Sequence, residues 1–272
     1  MDDRSRMQIN QAGWNQRAQA HLGSSYYDLD SFRAGESSLR PLEVATIGDV
    51  SGKDVLNLQC HIGVNAISWA RQGANVTAVD FAESALEIGR GLAKDLDVNV
   101  NFVQANVYDL PGVLEGSFDV VYADQGTLYY LPDLSAWAKV IAHFLKPGGI
   151  FHIVEIHPIL GAFDEVDGEM RLRTYPITNG PHEYVISDTY GDEYGDVQEI
   201  EPYTSYTWRW TIPDVMMALI QAGLQIESFT EEPVDCRQRF SSMVRDDEGK
   251  GLWRLPGDPL PMSWACSARK PA

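Results

Sequence analysis

Cysteine is scarce in this 272-residue chain: Cys60, Cys236 and Cys266 are the full set, far apart and in no CxxC or Cys/His spacing. An odd number of scattered thiols excludes a disulfide framework and a metal site of that type, and suits reduced thiols in a cytosolic compartment. Positive charge is also short. Lys and Arg total 21 against 39 Asp and Glu, for a formal net charge of −18. Phosphates would be repelled, which argues against nucleic acid or an anionic membrane as the main partner. The same balance suits a cationic cofactor, an amine substrate, or simply a soluble acidic surface. No apolar run approaches the ~20 residues that a bilayer-spanning helix needs. Met1 to Arg6 is charged where a signal peptide needs an apolar core, so a cytoplasmic location is expected. There is no internal repeat, no low-complexity tract and no GxGxxG string.

Hydrophobic residues make up 44% of the chain, enough for a large core without a staple. From Lys53 to Ile156 short β-rich runs alternate with helical stretches, the pattern of βαβ units around a parallel sheet. Strands are expected at Asp54–Leu58, Asn75–Val79, Val98–Val103, Phe118–Ala123 and Ile150–Ile156. Helices are expected at Val64–Gln72, Ala82–Lys94 and Leu134–Leu145, the last stopped by Lys146-Pro147-Gly148-Gly149. Residues 1–50 read as one or two helices forming a cap, broken near Tyr26-Tyr27. Residues 51–272 read as the main domain, with an aromatic insertion at 158–210 that loses periodicity; a loop of that length implies a lid or small excursion. A helix at Pro213–Ala222 and strands at Leu224–Phe229 and Met262–Ala268 complete the chain.

The chemistry-bearing residues cluster where strands end. The first strand runs into the turn Gln59-Cys60-His61-Ile62-Gly63, the position at which an open α/β sheet binds its cofactor. Asp80 closes the second strand, where a carboxylate can accept both hydroxyls of a ribose, and Phe81 beside it can cover a purine face. An isolated Asp there would otherwise cap the helix that follows. Asn106, after the third strand, can read an adenine edge, or be an ordinary turn residue. Asp124, Gln125, Tyr129 and Tyr130 follow the fourth strand and leave the same edge.

In this order the motifs resemble the class I S-adenosylmethionine-dependent methyltransferases over Asp54 to Ile156, and more loosely from Pro213 to Ala268. Leu145-Lys146-Pro147-Gly148-Gly149 is the most specific string, and Leu58-Gln59-Cys60-His61 is similar to the loop of a bacterial small-molecule branch. Gln59 and His61 stand where the family carries its first two glycines, Gly63 remains, and Asn57 replaces an acid. The resemblance implies a Rossmann-like, doubly wound seven-stranded sheet with an antiparallel last strand. It implies S-adenosylmethionine as cofactor and S-adenosylhomocysteine as product. The implied cofactor residues are Gln59, His61, Gly63, Asn65, Asp80, Phe81, Asn106, Val107, Asp124, Gln125 and Tyr129. A dinucleotide needs glycines for close approach to its pyrophosphate, so the altered turn weighs against an NAD-linked oxidoreductase. A cofactor-binding module without catalysis is the other alternative.

Methyl transfer from a sulfonium is an in-line displacement, so the protein must mainly align acceptor and methyl and exclude water. A base is needed where the nucleophile (N, O, S or C) starts protonated. His157 with Glu155, two apart at the end of the fifth strand and sharing a face, is the candidate pair. The plainer role for His157 is a hydrogen bond to the loop before Pro158. Tyr26, Tyr130, Tyr175 and Trp208 are candidate substrate contacts. No metal is expected, since no cluster has ligand spacing.

Overall fold

The computed structural model describes residues 1–22, 27–173, 180–188, 199–245 and 252–272. Three helices precede the first strand: α1 (Asp3–His21), α2 (Leu29–Arg33) and α3 (Pro41–Ile47). One or two were expected; the third is short and begins with Pro41 at a position where a missing N–H costs nothing. The alternating core follows as β1 (Asp54–Leu58), α4 (Val64–Arg71), β2 (Asn75–Asp80), α5 (Glu83–Asp95), β3 (Val100–Gln104), β4 (Phe118–Ala123), α6 (Leu134–Phe144) and β5 (Leu145–Ile156). Two hairpins come next, β6 (Phe163–Val166) with β7 (Glu169–Leu172), and β8 (His182–Asp188) with β9 (Glu199–Thr207). Then come α7 (Ile212–Gln221) and β10 (Gln225–Glu232). A small three-stranded sheet of β11 (Val234–Asp235), β12 (Val244–Arg245) and β13 (Trp253–Arg254) precedes the final β14 (Ser263–Arg269).

The main sheet has seven strands in the order β10-β14-β5-β4-β1-β2-β3. β1 to β5 pair in parallel, while β14 lies antiparallel between β5 and β10, as expected. The strands read as near-continuous apolar runs because helices cover both faces. Trp137, Phe144, Phe151 and Trp264 fill one layer, and Trp69 and Tyr122 fill the other, all at most 2% exposed. Each such ring withdraws ~150–250 Å² from water, worth up to about 4–6 kcal/mol.

β5 begins earlier than the expected Ile150. Leu145 already pairs with Phe118, and the chain bulges through Gly148-Gly149 to exchange backbone hydrogen bonds with Lys270. A side chain at Gly149 would meet three carbonyl oxygens at 2.9–3.1 Å, so only glycine fits. Lys146 Nζ donates to Asp54 Oδ2 and Asp119 Oδ2, both at 2.8 Å, fastening the amino ends of β1 and β4.

The region after β5, where the sequence loses periodicity and a lid or small excursion is expected, forms the two hairpins, and β9 docks on α1. The amide of Asn10, 1% exposed, acts there as a missing strand neighbour. Its Nδ2 donates to Tyr206 O at 2.7 Å, and its Oδ1 accepts from Tyr206 N at 2.8 Å. Gly13, one turn on, lies flat against the Tyr203 ring, where a Cβ would stand 1.9 Å from a ring carbon.

Replacing Asn10 with Ala leaves a buried N–H and C=O of Tyr206 without partners, at about 1–3 kcal/mol each. The variant should melt several degrees lower and be cut by protease in the β8–β9 hairpin at concentrations that spare the wild type. Unchanged melting and digestion would show that α1 and β9 are not coupled.

Candidate active site

The carboxyl ends of β1 to β4 open onto a cavity of about 770 Å³. Its shape follows from the turn after β1. Gln59, His61 and Gly63 all take left-handed backbone conformations, with φ of 54°, 50° and 72°. Glycine adopts these freely, whereas a side chain costs roughly 1–2 kcal/mol per residue. At Gly63 glycine is required, because a Cβ would lie 2.6 Å from the Phe102 ring. At the other two positions the strain is held by hydrogen bonds. Asp80 Oδ2 accepts from His61 N and Asp80 Oδ1 from Ala82 N, both at 2.9 Å, and Cys60 N reaches Val79 O. Asp80 therefore ties the first turn to the second strand while still bordering the cavity. Each of its oxygens retains a second lone pair. Burial pushes its carboxyl up to about 6 against the bonds from Ala82, His61 and Phe81.

Next to Asp80 the wall is apolar, built by Met7, Phe81, Ala105, Val107 and Leu131. A carboxylate beside such a slot matches a sugar joined to a flat base. Asn106 is not on this wall. Its Oδ1 accepts from Tyr108 N at 3.1 Å, closing a local turn, and its Nδ2 lies against Met7 Sδ. Met7 could not be anticipated, because nothing in α1 marks which of its residues reaches over the sheet.

His61 is clasped by the N-terminal helices. Its Nδ1 is 2.9 Å from the Tyr27 hydroxyl and its Nε2 is 3.4 Å from His21 Nδ1. Trp14 stands edge-on to its ring at 5.3 Å and also to Tyr130 at 5.1 Å. Burial, then the charge of neighbouring groups, lowers His21 to about 2 and His61 to about 3, so both rings are neutral at pH 7. Gln59 donates from Nε2 to Thr127 O, while its Oε1 and the Thr127 hydroxyl are buried without hydrogen-bond partners, polar capacity held at the cavity wall.

Asn65 and Asp124 form the next stretch of wall. Asn65 Nδ2 donates to Asp124 Oδ1 at 2.9 Å and to Tyr122 OH at 3.2 Å, and its Oδ1 accepts from Ser38 Oγ at 2.6 Å. Its amide is thus spent on holding the segment before α3 to β4. Tyr122 OH donates to Glu43 Oε1 at 2.5 Å, Arg40 N donates to Glu43 Oε2, and Arg40 Nη2 pairs with Glu232 Oε2 at 2.6 Å. Gln125, Cys236, Arg245 and Leu252 complete the far end. Arg40, Glu43 and Cys236 were missed in the sequence because they come from segments carrying no motif, and Tyr122 because the strand pattern marks it only as a buried residue of β4.

The expected Glu155–His157 pair is not formed. β5 ends at Ile156, so the alternation that would align the two side chains stops between them. Glu155, 2% exposed, accepts from the backbone N–H groups of Gly126 and Leu128 at 2.8 and 3.2 Å and fixes the loop after β4. Burial raises its carboxyl to about 7. His157 accepts from Ile159 N through Nδ1 and pairs through Nε2 with Glu231, away from the cavity. Tyr130 lines the cavity, whereas Tyr129 and Trp208 do not; Trp208 N donates to Tyr129 O instead. Tyr26 and Tyr175 lie outside the described residues. Among the described residues no cluster of His, Cys, Asp or Glu could hold a metal, and no helix is long and apolar enough to cross a membrane.

Residues 55–149 match a family model described as a methyltransferase domain. A ubiquinone biosynthesis O-methyltransferase of Xanthomonas euvesicatoria pv. vesicatoria is 31% identical over 231 residues, covering 82% of this chain and 86% of the relative. The corresponding enzyme of Bordetella pertussis is 31% identical over 60% of this chain and 69% of its own length. In fold, an S-adenosylmethionine-dependent methyltransferase from Mesorhizobium loti aligns over 88% of this chain and all of its own, with a TM-score of 0.58 at 20% identity. The glycopeptide N-methyltransferase MtfA, in complex with S-adenosylhomocysteine, aligns over 85% of each chain with a TM-score of 0.54 at 18% identity. A cavity at the carboxyl edge of a sheet in this strand order, together with these similarities, shows that the chain belongs to the class I S-adenosylmethionine-dependent methyltransferases.

Proposed function

We propose that this enzyme methylates a hydroxyl group on a small organic acceptor. The observation that carries the reading is the single cavity that runs from Asp80 to Arg40 and Cys236. Its volume, about 770 Å³, falls within the ~300–1,000 Å³ typical of small-molecule sites. An acidic chain with no basic tract gives no footing for a polyanion. The relatives matched over most of their length are named O-methyltransferases, which supports oxygen as the accepting atom.

In this reading Asp80 accepts the ribose hydroxyls, and Phe81, Ala105, Val107 and Met7 enclose the adenine. Gln59, His61 and Thr127 face the amino-acid end. When bound, the cofactor supplies a methyl on a sulfonium already activated for displacement. The protein's own work is positional. Gln125 and the loop pinned by Glu155 set the acceptor's approach, and the clasp of Trp14, Tyr27 and His21 on His61 excludes water. Residues 1–50 thus serve as a cap on a methyltransferase domain of residues 51–272, and the β8–β9 hairpin within the 158–210 insertion braces that cap.

Three outcomes are expected. Tritiated methyl should pass from S-adenosylmethionine to a diphenol such as catechol or protocatechuate; incorporation only into amines would overturn the choice of oxygen. Asp80→Ala should weaken S-adenosylhomocysteine binding about a hundredfold in calorimetry, given ~1.5–3 kcal/mol per hydrogen bond to a charged group; unchanged affinity would remove Asp80 from the ribose. The third concerns the cap. His21 is neutral in the folded protein down to about pH 2 but takes up a proton in the unfolded chain below about 6.5, so acid favours unfolding through this group. The raised carboxyls of Asp80, Asp124 and Glu155 act in the opposite direction as pH falls from about 7, so only a difference isolates the histidine. His21→Gln should gain stability relative to wild type on going from pH 7.5 to 5, by about 2 kcal/mol at ~1.4 kcal/mol per pH unit. A pH-independent difference would show that His21 is not enclosed.

A further inference from the structure

We propose that Asp124, expected from the resemblance to be a cofactor contact, is instead the catalytic base, taking the proton from the acceptor as its oxygen is methylated. The inference rests on the hydroxyl reading above. A phenol or alcohol must lose a proton during transfer, and the group that takes it must face the cavity. Both residues of the Glu155–His157 pair are engaged elsewhere. His61 presents its two ring nitrogens to Tyr27 and His21.

That leaves the carboxylates bordering the cavity: Asp28, Glu36, Glu43, Asp80 and Asp124. Asp28 caps α2 at the exposed rim, and Glu36 is likewise exposed. Glu43, 3% exposed, is occupied by the Tyr122 hydroxyl and by Arg40 N, and Asp80 by two backbone amides. Asp124 differs from both: it is half-buried, and the bonds it accepts come from the side-chain amides of Asn65, at 2.9 Å, and Asn57. Placement agrees. β4 and β2 flank β1, and strands lie about 4.8 Å apart, so Asp124 stands roughly 10 Å across the sheet edge from Asp80. The ribose-side and acceptor-side carboxylates are thereby separated. Asn65 is a positioning residue here, orienting Asp124 from a helix whose start is locked by Ser38 and Tyr122.

The environment suits a base that works near neutrality. Burial raises the Asp124 carboxyl, the bond from Asn65 opposes this, the charge of Glu43 adds to the rise, Asn57 lowers it and Asp80 raises it, leaving it at about 7. The other ionisable neighbours are the Tyr122 hydroxyl and the Cys60 thiol, both held protonated by burial, and Arg40, paired with Glu232. In the step, the acceptor oxygen bonds the transferred carbon and the carbon–sulfur bond breaks with its electron pair left on sulfur. The O–H proton passes to Asp124 and leaves later to water.

The test uses the full chain with catechol and protocatechuate as acceptors. Asp124→Asn should keep S-adenosylhomocysteine affinity within about threefold, lose about 10²–10⁴ in kcat, and lose the acidic limb of the kcat–pH profile that the wild type shows near pH 7. A variant that keeps kcat within about threefold, or keeps that limb, overturns the proposal. So does a variant that loses cofactor-product binding yet turns over normally at saturating cofactor. Carbon-13 carboxyl titration of aspartate-labelled wild type, with S-adenosylhomocysteine bound, decides the case even if the variant fails to fold. One aspartate besides Asp80 should titrate near neutrality; none doing so overturns the assignment. Failure of the wild type to methylate either diphenol overturns the hydroxyl reading instead, and the carboxyl titration still judges Asp124.

Discussion

A single buried carboxylate, Asp80, accepts from the amides of His61 and Ala82 and so decides where the first turn can lie. Without those bonds, two non-glycine residues would have little reason to remain left-handed beside a third. With them, the turn is rigid, α4 starts where Gly63 meets Phe102, and a cavity opens between β1, β2 and β4. Strain at a functional turn is retained when the surroundings over-determine it. Here the surroundings are the same atoms that border the cavity.

The side chains at the two strained positions also take on work that glycine could not. Gln59 crosses to Thr127 on the β4 side, and His61 becomes the post on which Trp14, His21 and Tyr27 close. The N-terminal segment is in turn fixed from behind, by Asn10 on β9 and by the Asn65 bracket to Ser38 and Tyr122. A loop of glycines would bind the same cofactor with less strain but would give a covering helix nothing to grip. The N-terminal helices thus dock on a side chain, His61, that glycine at this strained position would not provide.

Much of this was legible in the sequence where local physics decides. Phe118–Ala123 and Asp54–Leu58 are strands with the expected bounds, because apolar β-branched runs between turn residues have few alternatives. That Asp80 borders the cavity was legible from its place at the end of the second strand. What escaped depends on contacts distant in sequence. Asn106 could be read either as an adenine contact or as an ordinary turn residue, and its side chain closes its own turn, a choice two residues of backbone make locally. Glu155 and His157 were paired by strand periodicity, which fails one residue past the strand's end. Arg40 and Glu43, ahead of the first strand, and Cys236, after β11, reach the cavity through contacts distant in sequence, and no pattern within their own segments records that.

The most direct measurement is a crystal structure with S-adenosylhomocysteine bound. The account predicts ribose hydroxyls within hydrogen-bond distance of Asp80, adenine between Phe81 and Val107, and the sulfur nearer to Asp124 than to Asp80. An adenosyl group bound elsewhere, or bound with its ribose remote from Asp80, would contradict it.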